Sequence, residues 1–177
     1  MKKIWLFTPL ALLLLVVFFL VSLLRNPNLL SASENWQGKP FPEFNLPHLL
    51  EHQTQLNKAS LPKEPFILNV WASWCGWCIK EFPIFIDMKN KGIPIVGLTY
   101  ANRPEDAKTA LKRWGNPFVM VIDDFQQSFL SQTLNINAAP TTYLIDKQGI
   151  IRYQQKGYNP NFEADFMPRL LELRQED

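Results

Sequence analysis

The chain has 177 residues and a mass of 20.6 kDa, with 47% apolar and 19% charged residues; that length allows one domain plus an appendage and excludes two full domains. Its formal charge of +2 is uneven, because Lys2, Lys3 and Arg25 flank an apolar N-terminus, every acid lies at Glu34 or later, and the remainder is close to neutral. No basic face for nucleic acid and no acidic tail is implied, and two cysteines exclude a disulfide-stapled scaffold.

The first predicted element is the run Ile4–Leu24, uncharged and apolar except for Thr8, Pro9 and Ser22. At about 1.5 Å per residue it spans roughly 30 Å, the thickness of a bilayer core. Two lysines precede it and one arginine follows, a bias towards a cytoplasmic N-terminus. The alternative is a cleaved signal peptide, with Ser31-Ala32-Ser33 as a small-residue cleavage site, but the apolar core of such a peptide is usually about 7–15 residues. Length favours an uncleaved signal anchor over residues 1–25, a linker over 26–38 and a folded domain over 39–177. Under both readings the domain is exported into an oxidising space.

Within the domain, Phe41–Leu46 and Thr54–Leu56 form an extended pair, read as a hairpin. Pro65–Trp71 is a nearly continuous apolar run, the pattern of a strand buried on both faces. A helix from about Gly76 to Asn90 follows, then a strand over Ile93–Tyr100 and a helix that Pro104 opens and Gly115-Asn116-Pro117 ends. Next come a strand over Phe118–Ile122 and a helix from about Phe125 to Leu134. Asp146–Gly149 turns a hairpin between Thr142–Ile145 and Ile150–Gln154, and a final helix runs from about Asn161 to Arg174 with Pro168 inside it. Strands alternating with helices in this order predict an α/β fold, helices covering a mixed sheet.

The chemistry concentrates at Trp74-Cys75-Gly76-Trp77-Cys78, where the buried strand ends and a helix begins. Unpaired N–H groups and the helix dipole favour an anion there, so Cys75 ionises readily and is the expected nucleophile. Cys78, inside the first turn, is the expected resolving thiol that attacks a mixed disulfide on Cys75, which closes a redox disulfide Cys75–Cys78. A purely structural disulfide would stabilise little, since its loop is so short. A zinc site with His48 and His52 is the other alternative; the strand-to-helix context requires no metal, and surface histidines are the simpler reading.

The run Val70–Cys78 resembles the active site of the thioredoxin superfamily, and Pro140, after Ala138-Ala139 and before a strand, resembles that family's cis-proline. More narrowly, Gly38–Phe44, the cysteine run through Glu81, Gly92–Tyr100, Gly115–Phe118 and Tyr143–Tyr153 resemble the membrane-anchored thiol:disulfide interchange proteins of cytochrome c maturation, the DsbE/CcmG family. The resemblance implies a thioredoxin-like fold with an N-terminal β-hairpin extension and a transmembrane helix, with no cofactor and no metal. It implies a periplasmic protein-disulfide reductase on the bacterial inner membrane. Electrons would come from a membrane thiol transporter of the DsbD/CcdA type and go to the C-x-x-C-H cysteines of apocytochrome c, directly or through a partner thiol protein. A general exported oxidase or isomerase, and a non-catalytic module with locked cysteines, are the competing functions.

Supporting residues follow from the same resemblance. Glu81 matches an acidic residue after the cysteine pair and is three residues from Cys78 on one helix face, placed for acid-base tuning. Trp74, Trp77, Ala139, Pro140 and Thr141 are the expected peptide-binding rim. Thr141 stands where the family usually has glutamate, both glycines of the usual preceding run are absent, and Gly76-Trp77 replaces an intercysteine pair that often contains proline. Asn69, six residues before Cys75, cannot accept a proton as thioredoxin's aspartate does at that place.

Overall fold

The structure is a computed structural model describing residues 8–25, 35–51, 53–125 and 129–176. It separates into two compact units, Met1–Glu34 and Asn35–Asp177. In the first, helix α1 covers Thr8–Arg25, with Leu12 to Phe18 exposed. Among the described residues no helix is long and apolar enough to cross a membrane. The run that carried the expectation of a transmembrane helix starts at Ile4, outside them.

The second unit holds the short strands β1 (Asn45–Pro47) and β2 (Gln55–Asn57), then β3 (Phe66–Trp71), α2 (Gly76–Asn90), β4 (Ile95–Thr99), α3 (Pro104–Trp114) and β5 (Met120–Ile122). It ends with α4 (Leu130–Thr133), β6 (Thr141–Ile145), β7 (Ile151–Lys156) and α5 (Phe162–Gln175). β1 and β2 pair antiparallel, in the expected hairpin. The main sheet has the order β5-β4-β3-β6-β7, with β3, β4 and β5 parallel and β6 antiparallel to both neighbours. It follows that β3, β4, β5 and β7 all end at one edge, where β6 begins. Their connections at that edge supply residues 72–75, 100–103, 138–140 and 157–161.

β3 is buried along its whole length, as its apolar run requires. Phe66, Leu68 and Val70 face a core shared with Phe41, Phe44, Leu56, Leu130 and Ile151, the side covered by the hairpin extension and α4. Ile67 and Trp71 face the opposite core, built with α2, α3 and α5. There Trp71 stacks on Phe118 at 5.5 Å between ring centroids, and Phe82 meets both rings edge-on at 5.3 and 5.7 Å. Truncating any of these rings costs about 3–5 kcal/mol. Gly97 makes room for this cluster: a Cβ there would sit 2.9 Å from the Phe118 ring.

Several boundaries shift for identifiable reasons. Strand β4 begins after Pro94, which has no N–H to give the ladder, although its carbonyl accepts the Ile67 N–H at 3.0 Å. β5 begins only at Met120, because the Asn116 side chain takes the Phe118 N–H at 2.9 Å. The helix expected over 125–134 is described only as Leu130–Thr133, residues 126–128 lying outside the described set. Asp124 accepts the Ser131 N–H at 2.7 Å and so holds the start of that short helix. The units divide at 34/35 rather than at 38/39, since Trp36 packs on the core and the Gly38 N–H donates to Ile151 at 2.7 Å. His48 is buried, not a surface histidine: its Nδ1 accepts N–H groups from Leu50 and Glu51 at 3.1 and 3.0 Å. His52 lies outside the described residues.

Candidate active site

Cys75 ends the connection after β3 and caps α2. Its backbone is extended (φ −87°, ψ 98°) and its Sγ accepts the Cys78 N–H at 3.1 Å. The first turn of α2 thereby aims its N–H groups and dipole at this sulfur, which favours a thiolate once the bond is reduced. The two cysteines are joined in a disulfide with Cα atoms 5.3 Å apart. Cys75 retains 5% exposure and Cys78 none, so an incoming group can approach only the first sulfur.

The register sets the cis-proline loop against this turn. Val70 pairs with Thr141, so Pro140 falls one step further on, opposite Trp71. The Ala139–Pro140 peptide is cis, and Ala139 packs against the core cluster that contains both cysteines. The Thr141 hydroxyl donates back to the Ala138 carbonyl at 2.9 Å, and the Pro140 carbonyl accepts the Gly157 N–H at 2.8 Å. Gly157 has φ +76°, a left-handed turn that glycine adopts without cost.

Two tryptophans border the disulfide, Trp74 at 60% and Trp77 at 54% exposure. Trp74 donates its Nε1–H to the Ala101 carbonyl at 2.9 Å and lies 6.4 Å from the Tyr100 ring. The same loop is tied down beside it: Ser73 Oγ donates to Asn102 Oδ1 at 2.7 Å and the Tyr100 N–H to Trp71 at 2.9 Å. Trp77 stacks on Tyr158 at 5.0 Å, and Lys80 Nζ sits 4.2 Å from its ring centre.

Glu81 is buried, at 1% exposure, one turn after Cys78. Burial pushes its carboxyl up to about 8, against smaller downward pulls from the Asn159 backbone and the Asn69 side chain. Those contacts are weak, because neither carboxyl oxygen has a partner in good hydrogen-bonding geometry. Asn69 itself is fully buried in β3 and donates to Thr142 Oγ1 at 2.9 Å, leaving its own oxygen unpaired. A neutral acid at pH 7 that ionises near pH 8 is matched to a thiol of ordinary pKa about 8.5, and can exchange a proton with it.

The expected site residues therefore gather at one sheet edge. Sequence reading missed Asn102, Tyr100, Tyr158 and Asn159, which reach it from the β4–α3 and β7–α5 connections. The burial of Glu81 had a visible signal: Cys78, Phe82, Phe85 and Met88 recur at helical spacing, and Glu81 falls within that buried stripe.

Comparison with known proteins agrees with this geometry. The family model Redoxin matches residues 36–167. A probable thiol:disulfide interchange protein DsbE-2 of Pasteurella multocida is 37% identical over 99% of this chain and 93% of its own length. The thiol:disulfide interchange protein DsbE of Haemophilus influenzae is 37% identical over 89% of this chain and 88% of its own. A crystal structure of a thiol:disulfide interchange protein DsbE from Chlorobium tepidum superposes with a TM-score of 0.67 at 26% identity, covering 77% of this chain and 96% of that one. Sequence and fold thus lead to one place: the chain belongs to the redoxin family, among the thioredoxin-fold DsbE thiol:disulfide interchange proteins, and it is a protein-disulfide oxidoreductase.

Proposed function

We propose that the protein is a membrane-anchored periplasmic reductase that keeps the C-x-x-C-H cysteines of apocytochrome c reduced for haem attachment. The observation that carries a protein-sized substrate is the pair of exposed tryptophans around a nearly buried disulfide. That much aromatic surface at a reactive sulfur fits a peptide laid across it. The anchor rests on the apolar run Ile4–Leu24, on the exposed side chains Leu12 to Phe18 of α1, and on Lys2 and Lys3 before them. They favour an inner-membrane protein with its N-terminus in the cytoplasm. The electron donor in this reading is a membrane thiol transporter of the DsbD/CcdA type.

In the reaction, the Cys75 thiolate attacks one sulfur of the substrate disulfide. A mixed disulfide forms, and the other substrate sulfur leaves as a thiolate and takes a proton. Once ionised, Glu81 takes the Cys78 proton, and the Cys78 thiolate attacks the Cys75 sulfur, closing the Cys75–Cys78 bond and releasing the second substrate sulfur as a thiolate that takes up a proton. Two electrons pass to the substrate, and the donor restores the dithiol. Trp74, Trp77, Ala139, Pro140 and Thr141 position the peptide.

One observation favours the oxidase reading instead. The helix N–H on Cys75 Sγ stabilises the reduced form, the direction that makes a dithiol a stronger oxidant. Trapping decides between them. Cys78→Ser, expressed in the native host, is expected to hold apocytochrome c or its partner thiol protein and the membrane donor as mixed disulfides on Cys75. Alkylation across a thiol redox buffer is expected to place the midpoint nearer about −270 mV than about −120 mV. Trapping of unrelated exported proteins together with the higher midpoint would establish the oxidase.

A further inference from the structure

The β7–α5 connection makes three successive contacts with the site. Gly157 donates to the carbonyl of cis-Pro140, Tyr158 stacks on Trp77, and the Asn159 backbone reaches Glu81. Asn159 is held in turn by its own side chain, which donates to Asp165 at 2.7 Å and accepts the Asn161 N–H at 2.9 Å. Between the outer contacts, the Trp77–Tyr158 stack joins this connection to the intercysteine turn by side chains. Trp77 stands four residues before Glu81 on α2, one helical turn away, and the Glu81 carboxyl has 1% exposure and no well-formed hydrogen bond.

We propose that Tyr158 is a positioning residue for disulfide exchange: stacked on Trp77, it holds residues 157–161 closed over Glu81 and keeps water from that carboxyl. The chemistry favours a ring rather than a hydroxyl for this task, since the contact is face-to-face stacking. A docking peptide that draws Trp77 aside exposes Glu81 to solvent at the moment Cys78 must lose its proton. The device holds whichever substrate the dithiol serves.

The groups that face Glu81 are few. Asn69 approaches from β3 and Asn159 from the connection, neither of them titratable, and Cys78 on its own helix is locked in the disulfide. No ionised side chain is among the causes of its shift. The oxidised protein therefore isolates the carboxyl's own titration. The experiment is a ¹³C NMR titration of the Glu81 side-chain carboxyl in the oxidised full chain in detergent, assigned with Glu81→Gln. The parent midpoint is expected near 8. Tyr158→Ala and Trp77→Ala are each expected to lower it by about one pH unit or more as water enters, and the double variant no further than the larger single. Tyr158→Phe is expected to keep the parent midpoint. An unchanged midpoint in Tyr158→Ala overturns the proposal, as does a shift that Trp77→Ala fails to reproduce. A Tyr158→Phe midpoint as low as that of Tyr158→Ala would assign the effect to the hydroxyl and overturn it equally. Trp77→Ala leaves the connection itself intact, so it answers the question even if Tyr158→Ala does not fold.

Discussion

Trp74 and Trp77 flank the same disulfide with similar exposure, yet opposite forces hold them. Trp74 is fixed by a hydrogen bond to the Ala101 carbonyl, beside a second one from Ser73 to Asn102. Such bonds are directional and leave little freedom to slide. Trp77 rests on the Tyr158 ring and under the Lys80 ammonium, contacts whose energy changes slowly with small displacements. One rim of the site is therefore rigid and polar in its support, and the other is yielding and apolar. Glu81 lies one turn beyond Trp77 on α2, and the Ser73–Asn102 hydrogen bond lies beside Trp74.

The largest difference between the two rims is expected in pH dependence. The folded chain holds a proton on Glu81 that the unfolded chain, at the ordinary value of 4.5, gives up. The resulting stability is fully present below 4.5 and is lost as pH rises towards about 8, at up to about 1.4 kcal/mol per pH unit. Urea unfolding at pH 5, 7 and 9 is expected to show this fall in the parent and a much flatter profile in Glu81→Gln, which becomes the more stable of the two at pH 9. Equal parent stability at pH 5 and 9 would remove the buried neutral acid from the yielding rim.

On the rigid rim, Asn102→Ala leaves the half-buried Ser73 hydroxyl without its acceptor, the buried Asn102 side chain. The expected cost is about 1–2 kcal/mol in urea unfolding, the same at pH 5 and pH 9. A loss that varied with pH would tie this rim to Glu81 after all. The smallest expected effect belongs to Lys80→Ala, which removes the cation from the Trp77 face. It should cost about 0.5 kcal/mol, and less at high salt. A cost as large as that of Asn102→Ala would mean the yielding rim is held more firmly than its rings imply.

How much of this was legible depends on how local each signal is. β3, α2 and the Asp146–Gly149 turn were readable because apolar runs, a strand-to-helix cysteine motif and turn residues act over a few positions. The start of α3 at Pro104 is of the same kind. Glu81 was readable in part: its spacing from Cys78 marked it, while its burial needed the neighbouring stripe to be weighed with it. Tyr158 and Asn102 had no local signal. They reach the site because parallel strands end at one edge, a property of the sheet order that no short window contains. A boundary slipped where one side chain outbid the ladder, as Asn116 does before β5.

Gly97 has a consequence beyond stability. The Phe118 ring occupies the space where a side chain on β4 would stand, and the same ring leans on Trp71 and Phe82. The two positions therefore cannot drift independently. A methyl group at 97 calls for a smaller residue at 118, and a smaller residue at 118 leaves a gap beside Trp71, the last residue of the strand that delivers Cys75. Through one missing Cβ, the choice of residue in a segment far along the chain limits which changes the cysteine-bearing strand can accept.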